Sequence, residues 1–290
     1  MHIKSLIFCF LFALGSFNSL RAQYLEAGFG IGASLYEGDL SPNSPLKRFQ
    51  LLRPAGSIFV KWHLNPKFDW ALNVNYLQLH GDDKKSDNAG RKERNLDFTS
   101  NVFEFNTTLE WNILGFEPER LYSPFSPYVF AGAGMFHHNP KTKYQDTWYE
   151  LQPLGTEGQG LSQYPEREYY KLWQPNLLLG IGIKWAITEK LNLSSDFGAR
   201  LVFTDYLDDA SSSYISSPEI AEVHGPIAAA LSNRIGEGRG TGPVILPSGS
   251  LRASPNSTDY YLVGFVKLSW NLYNVEPLAG RKYQMGCPRF

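Results

Sequence analysis

The chain has 290 residues, 43% hydrophobic, 14% aromatic and 19% charged, and 27 Lys and Arg against 28 Asp and Glu leave a formal net charge of −1. This balance argues against a dedicated nucleic-acid binder, whose footprint is a basic excess, and 26 Gly with 18 Pro is too ordinary for a collagen-like or low-complexity chain. A mean hydropathy of −0.28 is not that of a helical multi-span membrane protein; on composition alone the chain reads as an aromatic-rich soluble β protein.

The N-terminus has three parts. Met1 to Lys4 is a short positive start, Leu6 to Gly15 is apolar, and Arg21-Ala22-Gln23 follows a small polar stretch. This is the layout of a secretory signal peptide, with cleavage expected after Ala22. The apolar run is far short of the roughly 20 residues that a spanning helix needs. Cys9 lies in the apolar run, so the exported chain keeps Cys287 as its single thiol and has no internal disulfide.

After Ala22 the recurring signal is alternation with period two, the mark of a strand with two unlike faces. From Tyr24 to Leu35 one face reads Leu25, Ala27, Phe29, Ile31, Ala33, Leu35 and the other Tyr24, Glu26, Gly28, Gly30, Gly32, Ser34. Gly56 to Leu64 sets Ile58, Val60, Trp62 against Ser57, Phe59, Lys61, His63. After the turn Asn65-Pro66-Lys67, a third strand sets Phe68, Trp70, Leu72, Val74, Tyr76 against Asp69, Ala71, Asn73, Asn75. The fourth sets Phe103, Phe105, Leu109, Trp111 against Glu104, Asn106, Glu110. The fifth, Pro127 to Met135, is apolar or small on both faces. The sixth sets Leu177, Leu179, Ile181, Ile183, Trp185 against Asn176, Gly180, Gly182, Lys184. The seventh sets Leu191, Leu193, Phe197, Leu201 against Asn192, Ser194, Asp196, Arg200, and the eighth sets Leu262, Val266, Leu268, Trp270 against Tyr261, Lys267, Ser269, Asn271.

Connections after strands two and six are about three residues and that after strand four about a dozen, whereas 36–55, 80–97, 137–175 and 205–258 are long. Eight strands with short turns at one end and long polar loops at the other is the layout of an outer-membrane barrel. A soluble sandwich or barrel would also alternate. Three features favour the membrane: Trp62, Phe68, Trp70, Trp111, Trp185 and Trp270 fall at the short-turn ends as a girdle, the polar faces are Gly-, Ser-, Thr- and Asn-rich, and the loops carry most of the charge, as in Asp82 to Arg94. The expected fold is all-β: an eight-stranded antiparallel transmembrane β-barrel with long extracellular loops and a short helix in the last loop. The expected organisation is a signal peptide over 1–22, the barrel over 23–274 and a periplasmic tail over 275–290. The surplus aromatics are expected mainly on the lipid face and rim.

Eight strands leave an interior wide enough only for side chains. The expected inward set is Glu26, Lys61, His63, Asp69, Glu104, Glu110, Lys184, Asp196, Arg200 and Lys267, five acids against four bases and one His, which reads as a lumen knitted by ion pairs rather than a conducting pore. Catalytic signals are weak. His137 and His138 are adjacent, so in a strand they point to opposite faces and chelate poorly. Ser211 to Ser213, or Asp205, Asp208 and Asp209, with either His would make a hydrolytic site, and the three Asp would make a calcium site, but no spacing selects them. No cofactor is expected. In the last loop Ser217 is the expected N-cap, with Pro218 at the first helical position; Glu219 to Val223 continues the helix, and after Gly225-Pro226 it resumes over Ile227 to Leu231. An apolar helix there covers the barrel mouth or presents a partner surface.

The segments Leu35-Tyr36-Glu37-Gly38-Asp39-Leu40, Tyr128 to Gly134, His138-Asn139-Pro140, Leu151 to Gly160, Phe203 to Asp209 and Gly225 to Leu231 followed by Arg239-Gly240 occur in the order found in PorG-like outer-membrane proteins. The chain resembles that family over nearly its whole length after the leader. The resemblance implies an integral barrel of the type IX secretion system, in contact with outer-membrane lipid and associated with periplasmic secretion-ring proteins that support protein transport and gliding. The loop motifs carried over are Gly38, Asp39, His138, Asn139, Pro140, Asp205, Tyr206, Asp208 and Asp209. The chain departs from the usual barrel-assembly signal: Phe290 lies well beyond strand eight, so Trp270 or Tyr273 is expected to serve. The tail, with Arg281, Lys282 and Arg289, is the expected docking handle, together with the 114–126 turn. A lipid- or surface-acting enzyme and a free structural barrel or adhesin are the alternatives.

Overall fold

The computed structural model describes residues 24–118, 123–237, 244–254 and 258–272. The expected leader over 1–22, the tail with Cys287, Arg281, Lys282 and Arg289, Tyr273 and the Arg239-Gly240 pair lie outside the described residues.

Eight long strands form the wall: β1 (Tyr24–Glu37), β2 (Arg53–Asn65), β3 (Phe68–Asp82), β4 (Asp97–Asn112), β5 (Phe125–His137), β8 (Trp173–Ala186), β9 (Leu191–Val202) and β10 (Tyr260–Asn271). Each pairs antiparallel with its neighbour, and β1 closes on β10 from Glu26 opposite Asn271 to Glu37 opposite Tyr260. Closure leaves no free edge, which is what lets strands sit in hydrocarbon with every backbone polar group bonded. Among the described residues no helix is long and apolar enough to cross a membrane.

The barrel is inverted relative to a soluble one. Ile31 is 71% exposed and Ile181 62%, and Phe29, Ile58, Leu72, Phe105, Leu109, Leu179, Phe197 and Val266 join them on the outer wall. Trp70, Trp111, Trp185 and Trp270 ring the short-turn end, and Trp62 stacks on Trp70 with ring centroids 4.8 Å apart. An apolar band with an aromatic girdle is the lipid-facing surface of a transmembrane barrel.

Exposed aromatics outnumber buried ones among the described residues, as expected, but a second set fills the interior. Tyr36, Phe59, Phe98, Tyr128, Phe130, Phe136, Tyr261 and Phe265 are buried within. This explains why the fifth strand shows no contrast between faces: its inner Tyr128 and Phe130 rings fill space left by glycines on β8 and β9. A Cβ on Gly182 would lie 2.5 Å from the Tyr128 ring, and one on Gly198 would lie 2.7 Å from the Phe130 ring.

The long loops hold more structure than the sequence pattern indicates. They add α1 (Pro45–Phe49), α2 (Ala89–Arg94) and a hairpin of β6 (Pro140–Tyr144) and β7 (Thr147–Glu150), whose first strand docks on β4. The expected helix forms as α3 (Ser217–His224) and α4 (Pro226–Ser232), broken at Gly225. Its N-cap is Ser216 rather than Ser217, which puts Pro218 at the second helical position. Leu231 joins the apolar cluster at the mouth, whereas Ile220, Ala228 and Ala229 pack on Leu161 and Ile215 of other loops.

Candidate functional site

Two polar assemblies lie inside the molecule, one in the lumen and one in the loop cap. The lumen assembly divides into three groups along the axis. Nearest the short turns, Lys184 Nζ lies 2.7 Å from both Asp69 Oδ2 and Glu110 Oε2, and Lys61 Nζ lies 3.0 Å from Glu110 and 3.8 Å from Glu26. His63 Nδ1 is 2.7 Å from Asp69 Oδ1 and Nε2 is 2.8 Å from Glu26 Oε2. Carboxylates only accept, so a His63 ring that donates from both nitrogens is an imidazolium. Glu26, Asp69 and Glu110 then face Lys61, Lys184 and His63, three charges of each sign. Phe116, just beyond β4, folds under this layer with its ring 5.5 Å from Lys184 Nζ and 6.2 Å from the His63 ring.

In the middle, Lys267 pairs with Asp196 at 2.6 Å, and Tyr128 donates to Asp196 at 3.2 Å. Towards the mouth, Glu104 accepts from Asn75 and Asn106 at 2.6 Å, Asn176 at 2.8 Å and the Tyr261 hydroxyl at 2.5 Å. Arg200 stands 3.9 Å from Glu104, so it supplies charge while the amides and hydroxyl supply hydrogen bonds. A void of about 10 Å³ lies between the two groups, lined by Asn75, Asn106, Asp196, Arg200 and Lys267. That is room for about one water.

Above Glu104 the interior turns apolar, with Leu77, Phe98, Val102, Phe136 and Val263 meeting Leu40, Leu96, Leu151, Leu207 and Leu231 of the loops. The loops above this seal are tied by buried charge. Glu157 accepts the backbone N–H groups of Ser211 at 3.0 Å and Ser212 at 3.1 Å, the Ser212 hydroxyl at 2.6 Å and the Tyr206 hydroxyl at 3.2 Å, and pairs with Arg252 at 3.0 Å. Arg252 also reaches Asp209 at 3.6 Å and donates to the Asp209 carbonyl. Asp209 accepts from Thr156 and Tyr170, and Tyr170 stacks on Tyr206 at 4.8 Å.

The expected loop motifs converge on this cap. The Tyr36 hydroxyl lies 2.6 Å from Asp208 and 2.9 Å from Asp259. A Cβ on Gly38 would strike Tyr36 and Asp259. Asp39 accepts from the Ser254 amide at 2.8 Å. His138 is buried beside Phe136 and Tyr170, Asn139 donates to Glu150 at 3.0 Å, and the Pro140 carbonyl accepts the Leu151 amide at 2.9 Å. Burial pushes Asp208 up to about 8 and Asp205 and Asp209 up to about 6, and takes Asp259 well above the ordinary range. Burial pushes His138 down to about 4.

The loop serines do not face a histidine. Ser211 donates to Asp205 at 2.8 Å, Ser212 to Glu157, and Ser213 Oγ accepts from Arg167 at 2.7 Å, while His137 packs edge-on against Trp173. Asp205, Asp208 and Asp209 are engaged separately, and no cluster fit to hold a metal ion occurs among the described residues. No sequence pattern singles out Glu157, Tyr170 or Arg252; Glu157 is the lone acid in the Gly-rich Leu151 to Gly160 run, and Arg252 has no local pattern around it.

A family model described as a domain of unknown function, DUF6089, matches residues 5–155. Among solved structures the chain is similar to Neisserial surface protein A, at 6% identity and a TM-score of 0.42, covering 85% of this chain and 96% of that one. It is also similar to Ail of Yersinia pestis, at 7% identity and a TM-score of 0.38 over 86% and 99%. The N-terminal barrel domain of OprF from Pseudomonas aeruginosa follows at 12% identity and 0.35 over 86% and 98%. No curated protein matches the chain.

Proposed function

The chain belongs to the DUF6089 family, a domain of unknown function, and from that premise we propose that it is an integral outer-membrane barrel that neither conducts nor catalyses and acts as an anchor. The observation that carries this reading is the interior: a wall apolar outside encloses charges that neutralise one another, and the cavity among Asn75, Asp196, Arg200 and Lys267 holds only about 10 Å³. Such a lumen stiffens a barrel and passes no solute. In planar bilayers the purified protein is expected to give no steady conductance, and reproducible open channels would overturn the reading.

The partner of this anchor, on our reading, is the periplasmic ring of a type IX secretion and gliding machinery. The support is the resemblance of the loop motifs around Gly38, His138 and Asp208 to PorG-like proteins. The short-turn end offers the exposed Ile113 and Leu114 beside the buried Phe116 plug as a contact surface. Mild-detergent purification of the native protein after in-cell crosslinking is expected to recover periplasmic ring components. Recovery of none, together with normal secretion in a deletion strain, would leave a free structural barrel or adhesin.

A further inference from the structure

The β1–β2 loop ends in a feature that the anchor reading does not use. Leu46 is 79% exposed and Phe49 65%, and Leu52 is also exposed. Leu46 and Phe49 are three apart in α1, on one face of the helix. The chain then tightens, with Gln50 N–H to Lys47 O at 3.1 Å, Leu51 to Arg48 at 2.8 Å and Leu52 to Phe49 at 3.3 Å. In such i to i+3 turns residues three apart eclipse, so Leu46, Phe49 and Leu52 stand in a row. The opposite side is fixed: Lys47 pairs with Asp87, Arg48 with Glu37 at 3.2 Å, the Gln50 carbonyl accepts Lys85, and Leu51 is fully buried. The apolar row is therefore held outward by polar ties and is not a mobile segment awaiting a core.

The row is continuous with the lipid-facing wall. Leu52 has the parity of Pro54, Gly56 and Ile58, the outward positions of β2, and Ile58 is a belt residue. Gly56 pairs with Tyr76, the upper belt residue of β3, and Leu52 lies four positions beyond Gly56. At about 3.3 Å per residue and a strand tilt of about 40°, the row begins about 10 Å above the Tyr76 level, in the headgroup zone. The outward positions just below it are Pro54 and Gly56, which add little side chain to the wall. Apolar faces of short helices at that depth insert at the boundary of headgroup and acyl chain.

We propose that Leu46, Phe49 and Leu52 form a lipid-inserted wedge at the long-loop rim, so that the outer leaflet is a direct ligand of the β1–β2 loop; this rests on the membrane-barrel reading above. Spin labels test it one site at a time: Leu46→Cys and Phe49→Cys in full-length protein carrying Cys9→Ser and Cys287→Ser, purified from membranes and reconstituted in phospholipid vesicles. Ile31→Cys and Ile58→Cys serve as belt references and Ala89→Cys as an aqueous one, and heat-modifiable gel mobility certifies each as folded. The ratio of collision with oxygen to collision with a water-soluble nickel chelate is expected to be several-fold higher at 46 and 49 than at 89, and lower than at 31. Ratios at 46 and 49 equal to that at 89, with 31 and 58 lipid-accessible, would overturn the wedge alone. Aqueous values at 31 and 58 as well would overturn the membrane reading on which it rests.

Discussion

Arg252 meets Glu157 at 3.0 Å across 95 residues of chain, and both side chains are fully enclosed by the loops they join. The pair couples the Leu151 to Gly160 segment to the last loop, and Glu157 holds two backbone amides of that loop as well. Removing one member of a buried pair costs about 3–5 kcal/mol because the other charge stays buried. Arg252→Met is therefore expected to release the cap while the wall persists. Limited proteolysis of reconstituted vesicles checks it: new cleavage within 203–259 with unchanged heat-modifiable mobility is the expected result.

The Tyr36 hydroxyl has one proton but lies within bonding distance of Asp208 and Asp259. It can donate to one carboxylate and accept only from a protonated other. Burial acts in that direction, pushing Asp208 up to about 8 and Asp259 well above the ordinary value of 3.8, and like charge from Asp39 and Asp205 adds to it while Arg94 opposes it. A carboxyl that holds its proton more tightly folded than unfolded favours the folded cap at low pH. That contribution declines as pH rises above about 4 and is gone once pH passes the folded value near 8. Hydrogen exchange of the 205–215 amides is expected to quicken between pH 6 and 8, by more than its intrinsic pH dependence. Asp208→Asn, whose amide can donate to Tyr36, is expected to flatten much of that change, with Asp205, Asp209 and Asp259 supplying the remainder.

Gly182 shows how wall and lumen are fitted together. Its missing Cβ would sit 2.5 Å from the Tyr128 ring and 2.7 Å from the Ser195 carbonyl oxygen. The ring in turn lies 4.4 Å from Lys184 Nζ. Overpacking of this kind costs about 1–3 kcal/mol. Gly182→Ala is expected to lower the urea midpoint of the heat-modifiable form. Tyr128→Leu in the same chain is expected to restore it only in part, because the Ser195 carbonyl cannot move away.

The wall was legible because every strand but the fifth has two unlike faces, and inward polar residues such as Glu104 and Lys184 recur at even spacing within their strands. Parity says which face a residue takes but not whom it meets. That Lys184 bridges Asp69 and Glu110, while Lys267 serves Asp196, depends on shear between strands far apart in sequence. The β6–β7 hairpin was hidden for a local reason. Its turn is Gln145-Asp146, both at positive φ (46° and 64°), where Asn-Gly or Asp-Gly would have announced it. The cap was hidden for a global one, since the Tyr36 to Asp208 contact spans 172 residues and loops carry no periodicity to align them.

Lys184 is the strongest single test of the lumen. Its ammonium is shared by Asp69 and Glu110 at 2.7 Å each, and Asp69 Oδ2 accepts also from the Asn112 amide at 2.9 Å. Lys184→Met preserves the stem and removes the charge, leaving three buried carboxylates against Lys61 and His63. The cost is expected to be about 3–5 kcal/mol, read as a lowered urea midpoint of the heat-modifiable form. Adding Glu110→Gln restores the balance, and the double variant is expected to recover a large part of the loss even though it has fewer ion pairs. If the double variant were as unstable as the sum of the two single changes, the layer would be held by packing of the Lys184 stem against Tyr128 and Phe116 and not by charge.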